Sequence, residues 1–398
     1  MSAKLLRNYL RFWAKCYLYT RKPKIIGITG SVGKTSTKDA IFEVLKAAFG
    51  NNVRKSEGNL NTKYGAALAI LGFKNPPIPL DGSTTLWAWL PVILKVPFRV
   101  FANTRTKYLV LEIAADQPGD IKFLSSFIRP NASVITNFGP AHLEIFGSIE
   151  KIVEEKSMLV KNLTSGGWAV LNIDDEESQK LIGKLSAVVK TIGINGRADF
   201  MASNIVTNIS ASQPKTTFKI NSKDSEIVVR LNSFGEVGNV YAALFAVAVS
   251  DLLKIPQDKI TQGLEKVKNE KHRMEVLEGK NESIIIDDAY NANPLSMKAA
   301  LKVLKKMSGK KIAVLGGMLE LGDISEEVHR KIGEIAAVSC DEVISIGDLG
   351  KLYKEARNFP TKEEAVAYLL GTIQKGDIIL IKASRGIGLE AIVEALKK

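Results

Sequence analysis

The sequence predicts an α/β protein with a mostly parallel sheet covered by helices on both faces, a flanking antiparallel segment, and a second α/β unit. Three observations support this fold class. From Lys24 onward, short apolar runs alternate with amphipathic stretches, as in β-α-β units. Residues 198–232 switch to a two-residue alternation typical of antiparallel strands. Near residue 272 the first rhythm returns.

Individual elements follow from the same patterns. In the first unit the predicted strands are KIIGIT, YLVLEIA, ASVITN, WAVLNI and VVKTIGI, and the predicted helices span residues 37–48, 149–162, 236–252 and 256–267. In the second unit the predicted strands are MEVLE, SIIID, KIAVLGG, EVISIG and DIILIKA. The polar stretch KVKNEKH at 266–272 is the predicted boundary between the units.

Composition limits what the chain can be. Its 398 residues suit two or three domains, and 45% hydrophobic with 24% charged residues is a globular balance. The two cysteines, Cys16 and Cys340, are far apart in sequence, which excludes a cysteine-based zinc site and a disulfide framework and favours a reducing cytoplasm. The formal net charge of +13 suits anionic partners. Because the sequence carries no nucleic-acid-binding motif, we expect no nucleic-acid partner.

Residues 1–22 are predicted to form a basic amphipathic helix. Apolar side chains recur at helical spacing, and lysines and arginines flank them. Two interpretations stay open, namely packing on the domain behind the helix, which we favour, and an interfacial position on a membrane.

Residues 24–36, KIIGITGSVGKTS, carry the strongest local motif, an apolar strand that enters a glycine-rich turn and then a helix. Gly30 and Gly33 let backbone N–H groups face phosphate oxygens, and Lys34 neutralises phosphate charge. The Thr35 hydroxyl can bind Mg²⁺. The motif therefore predicts a P-loop ATPase-type sheet in which ATP is bound by Gly30, Ser31, Val32, Gly33, Lys34, Thr35 and Ser36.

Residues 74–106 combine a proline-rich loop with the apolar run LWAWLPVILKVPFRVF. Pro91 and Pro97 are expected to interrupt any helix, and the run is too short to span a bilayer. A lid, an inter-domain packing element and a membrane-contact patch stay open, and packing is favoured.

Two side chains that can bind metal follow predicted strands. Glu112 ends YLVLE, and His142 lies in the segment after ASVIT. Ligands of open α/β sheets bind at the carboxyl ends of strands, and hard oxygen ligands suit Mg²⁺. Beside a phosphate loop, the two residues indicate a metal and phosphate site.

The TGSVGKTST loop resembles the nucleotide loop of the Mur ligase superfamily. KHRMEVLEG, DDAYNANPLSM and MLELG extend the resemblance through nearly the whole chain. They are most similar to the branch that joins D-alanyl-D-alanine to a UDP-muramoyl-tripeptide. The resemblance implies a central ATP-binding domain at 23–268 and a Rossmann-like C-terminal domain at 269–398.

The activity implied by the resemblance is that of an ATP-dependent, ADP-forming carbon–nitrogen ligase of peptidoglycan synthesis. Such an enzyme activates a muramoyl-tripeptide carboxylate as an acyl phosphate and couples it to D-alanyl-D-alanine. The alternatives are another amide ligase of the superfamily, of the polyglutamate or pseudo-peptidoglycan type, a ligase of lipid-linked precursors, and a non-catalytic nucleotide-dependent protein.

The resemblance also assigns roles to residues. Thr35, Glu112 and His142 match residues that hold two Mg²⁺ ions, and Lys156 matches a lysine that becomes a metal ligand when carbamylated. The implied catalytic residues are Lys34, His142, Lys156 and Arg273. Nucleotide contacts are implied for Asn172, Arg273 and Asp288. The implied substrate-side residues are Asn59, Asn61, Asn291 and Asn293.

Carbamylation sets a condition on Lys156, because it requires an uncharged amine. We expect Lys156 to be desolvated with a lowered pKa, and the adjacent Glu154 and Glu155 to face solvent.

The start of the chain raises an expectation about the substrate. The phosphate loop begins about 27 residues into the chain, whereas members of this branch carry a UDP-binding domain ahead of it. Two alternatives follow: either the UDP-sugar is bound differently, or the carboxylate substrate is not a UDP-sugar. The predicted enzyme is a cytoplasmic monomer acting on small molecules, with peripheral contact to an anionic membrane left open.

Overall fold

The computed structural model describes residues 3–74, 76, 86–101, 106–208, 214–235 and 238–398. Parts of the predicted segments 1–22, 74–106, 198–232 and 236–252 lie outside these residues. The helices are α1 (Ala3–Arg21), α2 (Lys34–Phe49), α3 (Gly65–Ile70), α4 (Leu86–Phe101), α5 (Asp120–Ser125), α6 (Leu143–Phe146), α7 (Ile149–Lys161), α8 (Glu176–Ile182), α9 (Gly238–Leu252), α10 (Gln257–Leu264), α11 (Pro294–Lys305), α12 (Ser325–Ala337), α13 (Gly347–Gly350), α14 (Lys362–Thr372) and α15 (Glu390–Leu396).

The strands form two sheets. They are β1 (Lys24–Thr29), β2 (Val53–Lys55), β3 (Tyr108–Glu112), β4 (Ala132–Ile135), β5 (Trp168–Asn172), β6 (Val188–Gly193), β7 (Phe200–Asn208), β8 (Lys215–Asn221), β9 (Glu226–Leu231), β10 (Glu275–Glu278), β11 (Ile284–Asp287), β12 (Lys311–Gly316), β13 (Glu342–Ile346), β14 (Arg357–Phe359) and β15 (Ile378–Lys382). The predicted strands are confirmed, whereas β2 and β14, each three residues long, are too short to leave a pattern in the sequence.

The first sheet has the strand order β2-β3-β1-β4-β5-β6-β7-β8-β9. It is parallel from β2 to β7 and antiparallel from β7 to β9, so the flanking antiparallel segment lies at one edge as predicted. Side chains of α2, α9 and α10 form a core with one face, and those of α1, α3 and α4 with the other. The predicted fold class is confirmed.

The register of the central strands positions the site. Ile28 of β1 pairs with Glu112 of β3, and Thr29 pairs with Ile135 of β4. The segments that follow these three neighbouring strands therefore leave the sheet at one edge, where ligands of parallel sheets bind.

The second sheet has the order β10-β11-β15-β12-β13-β14, with β10 antiparallel to β11 and the other neighbours parallel. Asp287, at the end of β11, pairs with Ile381 in β15. Asp288 and Lys382, which follow these two residues, therefore leave the sheet side by side.

Helix α4 corrects one expectation, because it continues through Pro91 and Pro97. A proline at 97 cannot donate a hydrogen bond to the carbonyl of Ile93, four residues earlier. The Tyr9 hydroxyl of α1 donates to that carbonyl instead, at 2.8 Å. The neighbouring helix thus satisfies the group that the proline leaves unpaired.

Candidate active site

A cavity of about 920 Å³ lies where the carboxyl ends of the two sheets face each other. The first unit contributes predicted residues Ser31, Val32, Gly33, Lys34, Thr35, Ser36, Asn59, Asn61, Glu112 and His142. The second contributes Arg273, Asp288, Asn291 and Asn293. Among the described residues, three predicted site residues do not line this cavity. They are Gly30, Lys156 and Asn172. The tertiary structure therefore gathers most of the predicted site from both units.

Gly30 has a backbone conformation that suits glycine, with φ of 145°. A Cβ atom there would lie 1.9 Å from the Thr136 hydroxyl oxygen. That hydroxyl donates to the Val32 carbonyl at 2.6 Å, and the Val32 N–H donates to Asn137 Oδ1 at 3.0 Å. The segment after β4 thus fixes the phosphate loop.

Lys34 lies over the loop, and its Nζ donates to the Gly30 carbonyl at 2.8 Å. Burial lowers the pKa of Lys34, while the negative charges of Glu112 and Asp116 raise it and the positive charge of Arg273 lowers it. The charges of Glu112 and Asp116 from the first unit and of Arg273 from the second therefore all act on this one ammonium group at the cavity wall.

Glu112 is a buried carboxylate, 3% exposed, on the cavity wall. Its Oε1 accepts a hydrogen bond from Asn61 Nδ2 at 2.9 Å, whereas its Oε2 is buried without a hydrogen-bond partner among the described residues. A buried carboxylate oxygen without a hydrogen-bond partner is costly. An oxygen of this kind beside a phosphate loop fits a hard divalent cation.

His142 lies between the two units, at the start of α6, with a left-handed φ of 60°. Its Nδ1 is 2.7 Å from Glu320 Oε2, which is close enough for an ion pair, but the two groups are not aligned for a hydrogen bond. Its Nε2 is 3.9 Å from Asp116 Oδ1. The Glu144 N–H donates to the Glu320 carbonyl at 3.2 Å, which joins the units at this point.

Lys156 is buried beneath the loop, where its Nζ donates to Ser31 Oγ at 2.7 Å. Burial holds the pKa of Lys156 well below its ordinary value, and the nearby Lys34 charge lowers it further. The expected desolvation is confirmed. Glu154 is exposed as expected, but the expectation for Glu155 is wrong.

Glu155 is buried because the start of α5 needs an acceptor. Its carboxylate accepts hydrogen bonds from the N–H groups of Gly119 and Ile121 at 2.9 and 2.6 Å. The first N–H groups of a helix have no partner within the helix and attract negative charge. Glu155 is therefore held away from the Lys156 amine.

Replacing Lys156 by methionine is expected to stabilise the protein at pH 7 in bicarbonate-free buffer by about 1 kcal/mol, the order of the cost of burying a polar group. With the folded-state pKa lowered below the ordinary 10.5, the unfolded chain binds a proton that the folded chain does not. Stability therefore rises as pH increases towards 10.5, and Lys156→Met should remove that rise. Urea unfolding of both proteins between pH 7 and 10 measures it. The exposed Lys151→Met is the control, and an equal gain there would contradict the prediction.

Tyr290 was missed by the sequence reasoning and links the two units. Its ring lies 3.9 Å from the guanidinium carbon of Arg273, and its hydroxyl donates to Asn59 Oδ1 at 3.0 Å. Arg385 donates to the same hydroxyl at 3.2 Å. The sequence did offer one signal for Tyr290, because it is an aromatic residue in the polar segment that follows the predicted strand SIIID.

On the prediction that Arg273 contacts ATP, Tyr290→Phe is expected to raise KM for ATP by about threefold to tenfold with little change in kcat, because each lost hydrogen bond costs about 1 kcal/mol and the ring still supports Arg273. Steady-state kinetics measure the change. Tyr368→Phe is a matched control, since its hydroxyl donates to Glu342 at 2.7 Å beneath Arg357, in residues that do not line the cavity. Equal effects of both variants would exclude a specific role for Tyr290.

Lys382 is the second residue that was missed. Its buried Nζ contacts Asp288 Oδ2 at 2.5 Å and donates to the Asn291 carbonyl at 2.9 Å. The sequence offered a signal for Lys382, because it is a charged residue at the end of the apolar run IILIK. Glu112 was predicted from the same kind of position, at the end of YLVLE. Asp288 therefore lies on the cavity wall already paired with a cation.

The remaining predicted residues have structural contacts. Asn293 caps α11, accepting from the Ser296 N–H at 2.9 Å. Asn291 Oδ1 accepts from the Ala292 N–H at 2.9 Å. Asn172 Oδ1 accepts from the Asp174 N–H at 3.0 Å and so forms the turn after β5.

Comparison with protein families matches both units. Residues 28–250 match the Mur ligase middle domain, and residues 272–385 match the Mur ligase glutamate ligase domain. The chain belongs to the Mur ligase family. Members of this family are ATP-dependent, ADP-forming amide ligases.

Relatives of this Mur ligase include the UDP-N-acetylmuramoyl-tripeptide–D-alanyl-D-alanine ligase of Bacillus subtilis strain 168, which is 32% identical over 96% of this chain and 78% of its own length. The MurF ligase of Thermotoga maritima, solved in complex with ADP, is 29% identical with a TM-score of 0.82, over 98% of this chain and 83% of that chain. MurF of Acinetobacter baumannii is 27% identical, also with a TM-score of 0.82. The match covers 98% of this chain and 80% of that chain.

Proposed function

We propose that this Mur ligase couples D-alanyl-D-alanine to the tripeptide carboxylate of a muramoyl-peptide precursor of peptidoglycan, with release of ADP and phosphate. The observation that carries the proposal is the cavity, where a phosphate loop, a buried carboxylate oxygen without a partner and the cations of the second unit meet. The reactions named for the Bacillus, Thermotoga and Acinetobacter relatives support the choice of substrates.

The proposed reaction has two steps. A carboxylate oxygen attacks the γ-phosphorus of ATP, the bond to the β-phosphate oxygen breaks, and ADP leaves. The deprotonated dipeptide amine then attacks the acyl carbon, forms the amide, releases phosphate and loses a proton. Such transfers depend on positioning and charge neutralisation, for which Lys34 of the first unit and Arg273 of the second both line the cavity.

Nucleotide binding is proposed for the loop residues 30–36, with Arg273 and Asp288 reaching it from the second unit. We propose that Asn172 also contacts the nucleotide, by way of the turn that it forms after β5. Asn59, Asn61, Asn291 and Asn293 are proposed to shape the substrate side.

Magnesium is the proposed metal, and the site fits it because the Glu112 Oε2 oxygen is buried and has no hydrogen-bond partner in the part of the chain that the structure describes. Thr35, Glu112 and His142 would hold the ions, together with Lys156 when carbamylated. Bound Mg²⁺ would neutralise phosphate charge.

Carbamylation of Lys156 is proposed because its amine is buried and its pKa is lowered. Adding ¹³C-bicarbonate should give a carbamate carbon resonance that Lys156→Arg lacks and that Lys151→Arg keeps. If Lys156→Arg retained the resonance, the modification would lie elsewhere. Addition of short carboxylic acids should partly restore activity to Lys156→Ala.

The experiment that tests the proposed function measures phosphate release from ATP and Mg²⁺ with a UDP-N-acetylmuramoyl-tripeptide, with and without D-alanyl-D-alanine. Release that depends on both substrates supports the proposal. If release depends on glutamate in place of the dipeptide, the assigned amine is wrong. Release without any carboxylate substrate would contradict ligase activity.

We further propose that the enzyme is a cytoplasmic monomer with domain boundaries after residues 22 and 268, and that it contacts the inner face of the plasma membrane peripherally. Sedimentation equilibrium tests the monomer, and limited proteolysis tests the boundary near 268.

A further inference from the structure

Helices α1 and α4 lie side by side and run in the same direction on the first unit. Besides the bond from Tyr9 to Ile93, the Arg21 guanidinium donates to the Val100 carbonyl at 3.1 Å. The inner faces of both helices belong to one hydrophobic core, which includes Leu10 of α1 and Trp89 of α4. The opposite faces therefore point away from that core.

The outer face of α4 is apolar although it is exposed. Trp87, Leu94, Phe98 and Phe101 recur at intervals of seven, four and three residues, which places them on one side of the helix. Trp87 is 80% exposed, and Phe98 and Phe101 are 77% and 74% exposed. On α1, Phe12 and Tyr19, seven residues apart, are also exposed. Exposed apolar side chains grouped on one side of a helix mark an interaction site.

The charges on the two helices have one sign. Neither α1 nor α4 contains an aspartate or glutamate, while together they carry the basic residues Lys4, Arg7, Arg11, Lys15, Arg21, Lys95 and Arg99. The exposed Lys95 and Arg99 directly follow Leu94 and Phe98 and lie along one side of the apolar stripe of α4. Aromatic side chains with flanking cations are the features by which helices bind at the headgroup level of anionic bilayers.

We propose that the outer faces of α1 and α4 form a docking surface for an anionic phospholipid bilayer, with Trp87, Leu94, Phe98 and Phe101 entering the headgroup boundary. Among the described residues no helix is long and apolar enough to cross a membrane, so the contact is interfacial. Uniform positive charge selects this occupant over a second copy of the chain, because two such faces would repel each other. This surface would be the part of the protein that makes the peripheral membrane contact proposed above. The proposal does not depend on the ligase chemistry.

Sedimentation of the full chain with vesicles tests the surface. Binding is expected to vesicles of phosphatidylcholine and phosphatidylglycerol at low salt, and to be at least about tenfold weaker with phosphatidylcholine alone or at 0.5 M salt. Equal binding to both vesicle types, or no binding to the anionic vesicles, would overturn the proposal.

Two variants separate the apolar and charged contributions. Trp87→Ser/Phe98→Ser and Lys95→Glu/Arg99→Glu are each expected to weaken binding about tenfold or more. Matched controls are Val206→Ser/Val338→Ser, which removes exposed apolar residues elsewhere, and Lys223→Glu. The controls should bind as the unchanged protein does.

Dipeptide-dependent phosphate release by the same variants shows that they are folded, and it should stay within about twofold of the unchanged protein in the absence of vesicles. If Trp87→Ser/Phe98→Ser alters sedimentation without vesicles and leaves lipid binding intact, the surface joins copies of the chain and the proposal fails. Loss of ligase activity in every variant and in the unchanged protein would overturn the proposed function and leave the vesicle result unaffected.

Discussion

Lys34→Ala is expected to lower kcat for ADP release by roughly 100- to 1000-fold, the loss typical of removing one preorganised group that stabilises developing charge. Lys34 lines the cavity, and its ammonium group is held at the loop by the Gly30 carbonyl. In a site that excludes water, a cation acts on phosphate charge far more strongly than in solution. Steady-state ADP release with both substrates measures the effect.

A lysine on the same helix provides the control. Lys46 lies in the last turn of α2 and is exposed, so Lys46→Ala should change kcat by less than about twofold. If Lys34→Ala kept more than about a tenth of the kcat of the unchanged protein, the phosphate loop would not hold the transferred phosphate, and the proposed mechanism would be wrong.

Glu112→Gln is expected to change activity and stability in opposite directions. An amide keeps the shape of the side chain and can still accept from Asn61 through its oxygen, but it provides no negative charge for a cation. We expect kcat to fall by roughly 100-fold or more and the Mg²⁺ requirement to rise. Without metal, the variant should unfold at a higher temperature, because a buried carboxylate oxygen that has no hydrogen-bond partner among the described residues is replaced by part of a neutral amide.

Thermal unfolding with and without Mg²⁺ and a non-hydrolysable ATP analogue separates these effects. The unchanged protein should gain stability from the two ligands together, and Glu112→Gln should gain less. Glu150→Gln, an exposed carboxylate on α7, is the control and should behave as the unchanged protein does. If Glu112→Gln is destabilised without metal and fully active with it, Glu112 has a structural role only.

Local patterns account for the parts of the fold that the sequence predicts. Strands β1, β3 and β5 are short apolar runs that end in Thr29, Glu112 and Asn172, and burial on both faces produces such runs regardless of the neighbours. The phosphate loop is equally local, since one strand, two glycines and one helix suffice to build it. Pro97 failed as a helix breaker because Tyr9, 88 positions earlier in the sequence, supplies the missing donor.

The candidate site was predictable where a functional side chain ends a recognisable strand or belongs to a motif, as Glu112 and Arg273 do. Glu155 was mispredicted because the three N–H groups that it binds, at positions 119–122, belong to another segment. Tyr290 and Lys382 were missed because their partners come from distant parts of the chain.

The sequence by itself determined the fold class, the phosphate loop and the family, because apolar periodicity and glycine-rich turns are properties of neighbouring residues. Only the tertiary structure decided which groups meet across the cavity. It placed Asn59 against Tyr290, left one oxygen of Glu112 without a hydrogen-bond partner among the described residues and exposed the aromatic face of α4. These contacts depend on how two sheets and their helices pack, and no pattern of adjacent residues encodes the distance between segments that are hundreds of residues apart.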